Sequence, residues 1–247
     1  MALLLILILE GCAQLVPAPP AEPAHEPLET WARVLGRFVD NAGRVDFAAL
    51  ARERGDLDRF VAWVYAVSPS SSPQRFPTRA HVLAYHLNAY NALAMYSLLE
   101  RGVPQSLAGL EKVDFFVLRE LKVGGVPLSL QAYENDVIRP LGEERVHFAL
   151  NCMVRGCPRL PRTPFRGEDL EAQLSAETRR FLGEARNVRA DAARRSVHLS
   201  AILKFYAADF LAGAPSLIAY VNRYHAQPIP LDYAVEFLPY DWTVNSQ

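Results

Sequence analysis

Apolar residues recur at the spacing of an α-helix along most of the first hundred residues. The face of the first predicted helix is made of Trp31, Val34, Leu35, Phe38 and Val39. A short extended piece at residues 44–47 follows, and a second helix then carries an apolar face through residues 50–65. Residues 78–101 are apolar on nearly every side, which predicts a central buried helix.

Short strands are predicted in the second half of the chain. Gly124-Gly125 is a hairpin-type turn between two short apolar segments, and residues 188–191 and 196–199 form a second predicted hairpin. Ser129 and Ser200 are good N-caps for the helices that follow them. The pattern therefore predicts an α+β fold, a predominantly helical single domain with a small antiparallel sheet.

The N-terminal segment is typical of an export signal. Its apolar run, residues 2–8, is shorter than the roughly 20 residues that a membrane span needs. Cys12 follows Gly near the end of this run, which resembles a bacterial lipoprotein signal cleaved before a lipidated cysteine. We therefore predict a signal peptide at 1–11, a Pro/Ala-rich tether at 12–28 and a domain at 29–247. The predicted location is the periplasmic side of the bacterial cell envelope, with a membrane anchor through the lipid. The alternative is a buried N-terminal strand of a cytosolic protein.

Composition predicts a sizeable core and gives no sign of a nucleic-acid partner. Hydrophobic residues make up 51% of the 247 residues, and 26 basic against 27 acidic residues leave a net charge of −1. The sequence contains no Gly-rich phosphate loop, no Gly-x-Ser-x-Gly motif and no His-Glu-x-x-His motif. We expect no cofactor and no metal.

The candidate chemistry lies in residues 145–158, where His147, Cys152 and Cys157 fall close together. Cys152 would be a nucleophile, His147 its base, and Glu134, Asn88 or Asn91 the group that orients the base, because thiol catalysis needs these three roles. A helix beginning at Asn151-Cys152 would lower the thiol pKa. The alternative is a disulfide between the two cysteines, which an oxidising periplasm favours.

Other polar residues are candidates for positioning or binding. Asn88 and Asn91 lie three residues apart on one face of the central helix, where they either satisfy neighbouring loop backbone or orient a polar group in a pocket. Asn91, Arg139 and Asn151 are candidate substrate-binding residues. Four arginines follow Cys152 and would form either a carboxylate- or phosphate-binding cluster or a solvated face. They are Arg155, Arg159, Arg162 and Arg166.

Several of these segments resemble the bacterial and plant "domain of unknown function 547" family. The matching segments are, in chain order, 86–91, 123–125, 130–134, 147–152 with 156–158, 199–206 with 209–210, and 240–245. The resemblance covers roughly residues 31–245. His86, Tyr133 and Phe205 depart from the family pattern at apolar or aromatic positions, which concerns packing rather than chemistry. The resemblance implies the fold and export but no activity.

Two hypotheses of different class follow. The first is a thiol-dependent hydrolase or transferase acting on a peptide or small-molecule substrate. Because His147 precedes Cys152, any papain- or transglutaminase-like arrangement would be a permuted one. The second is a non-catalytic, lipid-anchored domain that binds a ligand or protein partner through a pocket around Asn88, Glu134 and Arg139.

Overall fold

A computed structural model describes residues 13–247, and the predicted signal peptide and Cys12 lie outside the described residues. The described part is a mostly helical α+β fold with ten α-helices and two three-stranded sheets. The α-helices are α1 Pro27–Phe38, α2 Phe47–Arg52, α3 Gly55–Ala66, α4 Arg79–Glu100, α5 Leu110–Val113, α6 Leu130–Ala132, α7 Leu170–Gly183, α8 Ala201–Phe205, α9 Ala207–Leu211 and α10 Leu217–Val221. The strands are β1 Gln14–Leu15, β2 Arg119–Val123, β3 Val126–Ser129, β4 Val188–Asp191, β5 Ser196–Leu199 and β6 Ala234–Phe237.

Helix α4 is the centre of the larger core, as its apolar surround predicts. The Thr78 hydroxyl caps its start by accepting from the His81 backbone N–H, and every residue from Leu83 to Leu98 is buried. Helices α3 and α7 pack on it, together with strand β2. A helix buried on all sides fixes the positions of the segments around it, so α4 serves as the scaffold of the site.

Both predicted hairpins are confirmed, and each gains a third strand from a distant part of the chain. Strands β2 and β3 pair antiparallel around Gly124 and Gly125, whose positive φ angles of 58° and 88° suit a tight hairpin turn. Strands β4 and β5 pair in the same way. However, β1 joins β2 and β6 joins β5 in parallel, so the predicted small antiparallel sheet is two small mixed sheets.

Residues 14–24, within the segment predicted to be a tether, lie against the domain. After β1, the Val16 backbone N–H donates to Glu120 O at 2.8 Å, and the Tyr96 hydroxyl donates to Pro17 O at 3.0 Å. Val16 and Ala24 are buried. Their apolar side chains and the backbone hydrogen bonds hold residues 14–24 on the domain surface, whereas a free linker would extend away from it.

Two apolar cores meet at the candidate stretch. The larger core contains Val146, whereas Phe148, two residues later, packs in a smaller core with strands β4 and β5 and helices α8–α10. These two residues belong to a 3₁₀ helix, Glu144–Phe148, which therefore lies between the cores. Among residues 13–247, no helix is long and apolar enough to cross a bilayer.

Candidate functional site

The two cysteines of the candidate stretch form a disulfide. Cys152 and Cys157 are joined with their Cα atoms 6.1 Å apart, and the Tyr240 hydroxyl lies 3.2 Å from each sulfur. Residues 151 and 152 are not helical, so the helix start that would lower the Cys152 thiol pKa is absent from this loop. Met153 within the loop has a φ of 63°, and the Asn245 N–H donates to its carbonyl at 3.1 Å.

His147 is buried and held by a carboxylate. Its Nε2 lies 2.7 Å from Asp209 Oδ2, and Asp209 in turn accepts two hydrogen bonds of 2.8 Å from the Arg139 guanidinium. The imidazole stacks on the Tyr206 ring at 3.8 Å. Since a carboxylate can only accept, Nε2 carries the proton and Nδ1 is a bare acceptor.

Burial and ion pairing move the pKa values of this pair downwards. Burial lowers the pKa of His147 to about 4, against the opposing effect of Asp209. The hydrogen bonds from Arg139 lower the pKa of Asp209 to about 2, with a further contribution from His147. At neutral pH the pair is therefore a neutral imidazole on an ionised carboxylate.

Glu134 faces the other side of the same imidazole. It lies in a π-helix, Tyr133–Ile138, an irregular helix type that is frequent at functional sites. Its Oε1 is 3.8 Å from His147 Nδ1, and its Oε2 accepts from the Tyr90 hydroxyl at 3.3 Å. Burial raises the pKa of Glu134 even though hydrogen bonds from Tyr206 and Tyr90 lower it. His147 Nδ1 has no hydrogen-bond partner within the described residues.

These groups border a pocket of about 300 Å³. Aromatic side chains form much of its wall, namely Tyr90, Phe116, Phe205, Tyr206, Tyr240 and Trp242. Glu134, His147 and Cys152 also line it, as do the exposed residues Lys112 and Gln131. Phe205 is 53% exposed, so its ring presents apolar surface at the pocket. The arrangement is an aromatic cleft with one buried carboxyl.

Comparison with known proteins identifies a family for the middle of the chain. Residues 74–182 match the family model described as "Protein of unknown function, DUF547". This segment is a DUF547 family domain. No curated protein and no solved structure matches the chain. The permuted papain- or transglutaminase-like arrangement therefore stays a prediction.

The DUF547 segment contains Glu134, Arg139, His147 and the two cysteines, and the structure brings these predicted residues to one pocket. It ends before Tyr206, Asp209 and Tyr240, which complete the site from the smaller core and the C-terminal segment. Sequence reasoning did not assign a role to these three residues. The available signal was their place in segments 199–210 and 240–245, which carry the family resemblance.

The predicted asparagines lie outside this pocket and bind backbone. Asn88 both donates to and accepts from the backbone of Phe165, at 2.8 and 2.9 Å. Asn91 donates to Ala149 O at 3.0 Å and accepts from the Asn151 N–H at 2.7 Å. The Asn151 side chain in turn donates to Pro158 O at 2.7 Å. All three hold the loops that follow His147. For Asn88 and Asn91 these are the loop-backbone contacts of the first alternative, and Asn151 lines a different cleft.

Proposed function

We propose that the DUF547 domain binds a small uncharged ligand, rich in hydroxyl or amide groups, in the Glu134 pocket. The observation that carries the proposal is a carboxyl of raised pKa set among tyrosines in an aromatic cleft. A buried carboxyl accepts hydrogen bonds from hydroxyl and amide groups and, when protonated, donates one as well. Such a ligand would pair with Glu134 without bringing a charge into the cleft.

The surroundings of Glu134 support an uncharged ligand. The one ionised carboxylate beside His147, Asp209, is already neutralised by Arg139. Bringing a charged group next to Glu134 would cost its desolvation, and Arg139, the cation that acts on Glu134, is already paired with Asp209. The aromatic wall, in contrast, offers flat apolar surface that a ligand ring or acyl face would cover. A volume of about 300 Å³ is at the small end of ligand pockets.

The disulfide has a structural role in this proposal. Cys152 accounts for part of the pocket wall, and Tyr240 contacts both sulfurs from the C-terminal segment. The bridge would keep the loop after His147 in the shape that the pocket needs. It would leave no thiol for chemistry.

Ligand-observed NMR with a panel of uncharged monosaccharides and end-blocked dipeptides tests the proposal. We expect at least one class to bind, and we expect Glu134→Ala to abolish binding. Phe205→Ala should weaken binding about fivefold or more, because roughly 1 kcal/mol of apolar contact is lost. Phe237→Ala is the matched control, because Phe237 is also exposed but lies on β6 and does not line the pocket. Absence of binding from both classes, or equal loss in the control, would contradict the proposal.

A thiol-dependent hydrolase or transferase is the second candidate. It is favoured by the Asp209–His147 contact, because a base needs such an orienting group, and by the place of Cys152 in the same pocket. This candidate takes Cys152 as a free thiol in the active protein rather than as half of the disulfide. The Cys152 thiol would then give its proton to His147, attack an acyl carbonyl and release the leaving group with that proton. Water or another acceptor would remove the acyl group.

The pKa of about 4 for His147 places this candidate second, since a base that weak is poorly matched to neutral pH. It requires a free Cys152 in the purified protein. Alkylation with and without prior reduction, followed by mass spectrometry, measures this. Thiol chemistry gains support if Cys152 alkylates rapidly without reduction and more slowly in His147→Ala. A fully oxidised pair that blocks alkylation would exclude it.

We also infer a cell-envelope location with a lipid on Cys12. The support is the apolar run before Gly11-Cys12 and the spacing of the remaining two cysteines. A disulfide between them suits an oxidising compartment.

A further inference from the structure

The arginines after Cys152 do not form one solvated cluster. Arg159 pairs with Glu177, with Nε 2.8 Å from Oε2, and Arg166 pairs with Glu29 at 2.7 Å. The Arg162 guanidinium donates to the Gly36 and Asn41 oxygens on the first helix and its following turn. These three arginines therefore tie segments of the fold together.

Arg155 differs from these three. Its side chain has no hydrogen bond or ion pair within residues 13–247, and it lines a large cleft of about 730 Å³. Arg180 on helix α7 lines the same cleft, and its guanidinium is also unpaired in that part of the chain. Both side chains are exposed. Two unpaired guanidinium groups thus share one concave surface.

The cleft as a whole carries an excess of positive charge. Five of its lining residues are arginines, whereas Glu184 and Asp241 are its acidic ones. Arg186 pairs with Glu184 at 2.8 Å, and Arg44 pairs with Asp40 at 3.2 Å. Arg155 acts on Asp241 only through space, without a hydrogen bond or an ion pair, so Arg155 and Arg180 remain available to an anion.

The backbone under Arg155 is held firmly. The Arg155 N–H donates to Thr243 O and the Gly156 N–H to Asp241 O, both at 2.8 Å. A Cβ on Gly156 would lie 2.8 Å from the Tyr240 ring, so only glycine permits this close approach. Arg155 therefore projects from a fixed strand-like pairing rather than from a free loop.

We propose that this cleft is a second binding site, which takes an oxyanion, a carboxylate or phosphate group, with Arg155 and Arg180 as its cationic residues. The planar guanidinium presents paired N–H donors that match the oxygens of both groups. The site is separate from the Glu134 pocket, although Cys157, Pro158 and Tyr240 line both. Nothing in the proposal depends on what the Glu134 pocket binds.

Isothermal titration with inorganic phosphate and with succinate tests this site, with ionic strength held constant by chloride. We expect saturable binding of at least one of the two anions to the full chain. Arg155→Gln/Arg180→Gln should weaken it at least tenfold. The matched control is Arg179→Gln/Arg189→Gln, which changes the net charge equally at two exposed arginines outside the cleft. Circular dichroism verifies that both double variants remain folded.

The pattern of outcomes decides the proposal. Loss of anion binding in Arg155→Gln/Arg180→Gln, with unchanged binding in the control, supports a specific site. The anion that binds more tightly shows whether the site prefers a carboxylate or a phosphate. Arg155→Lys/Arg180→Lys keeps the charge but not the paired donors, so it should bind more weakly than the wild type and more tightly than the glutamine variant. Equal weakening in the control, or no binding of either anion at about 10 mM, ten times a weak Kd of ~1 mM, would overturn the proposal.

Discussion

At the scale of single residues, the low pKa of His147 predicts a measurable acid sensitivity. The unfolded chain takes up a proton on this histidine near pH 6.5, whereas the folded protein does so only near pH 4. Stability should therefore fall as the pH drops through this window, by roughly 3 kcal/mol for a shift of this size. Buried His86, with a pKa of about 4, contributes in the same direction. The Asp209 contribution is lost at lower pH, between about 4 and 2.

Urea unfolding at pH 7.0, 5.5 and 4.5 measures this loss. We expect a smaller fall in His147→Gln, because glutamine keeps a donor for Asp209 but takes up no proton in this range. Between pH 7.0 and 4.5 the free energy of unfolding should fall by about 1–3 kcal/mol less in His147→Gln than in the wild type. His25→Gln, at an exposed position, is the control. A fall in His147→Gln as steep as in the wild type would show that His147 is not buried as a neutral base.

The residues of the site could be predicted only in part from the sequence. His147 and Glu134 lie in short motifs whose residue types indicate chemistry. Asp209, however, is 62 residues from His147, and neither spacing nor local pattern says that the two meet. For Asn88 the sequence indicates a hydrogen-bonded role but not the partner. A buried amide on an apolar helix predicts a specific partner, but only the fold decides that this partner is the Phe165 backbone.

At the scale of elements, local patterns predicted local structure well. Helices α1, α3 and α4 and both hairpins follow from apolar spacing and turn residues, because their determinants lie within each segment. The parallel third strands, β1 and β6, depend on pairing across more than 30 residues, which periodicity does not encode. The helix predicted after Ser129 is present, but most of it is a π-helix. This irregular turn positions Glu134, and a helical pattern alone does not distinguish it from an α-helix.

At the scale of the whole molecule, the described chain works as one unit around its site. The DUF547 segment supplies Glu134 and His147, whereas Tyr206 and Asp209 come from the smaller core and Tyr240 from the C-terminal segment. The N-terminal segment belongs to the same unit, because Val16 and Ala24 are buried and the Tyr65 and Tyr96 hydroxyls donate to its carbonyls. The proline-rich composition predicted an extended linker but gave no information about the surface on which it lies.

This docked segment sharpens the expectation for a lipid on Cys12. A free linker of about fifteen residues would let the domain stand about 50 Å from a lipid on Cys12. In the structure, however, β1 begins at Gln14, only two residues after Cys12. A lipidated protein should therefore lie directly against the bilayer. Labelled fatty acid should enter the wild type and not Cys12→Ala. In liposomes with dansyl headgroups, energy transfer from the protein's tryptophans should then be strong, and a ten-residue Gly/Ser insertion after Cys12 should reduce it. If residues 14–24 left the domain surface at the membrane, the domain could already move away from the bilayer and the insertion would change little. Equal energy transfer with and without the insertion would therefore contradict a docked segment.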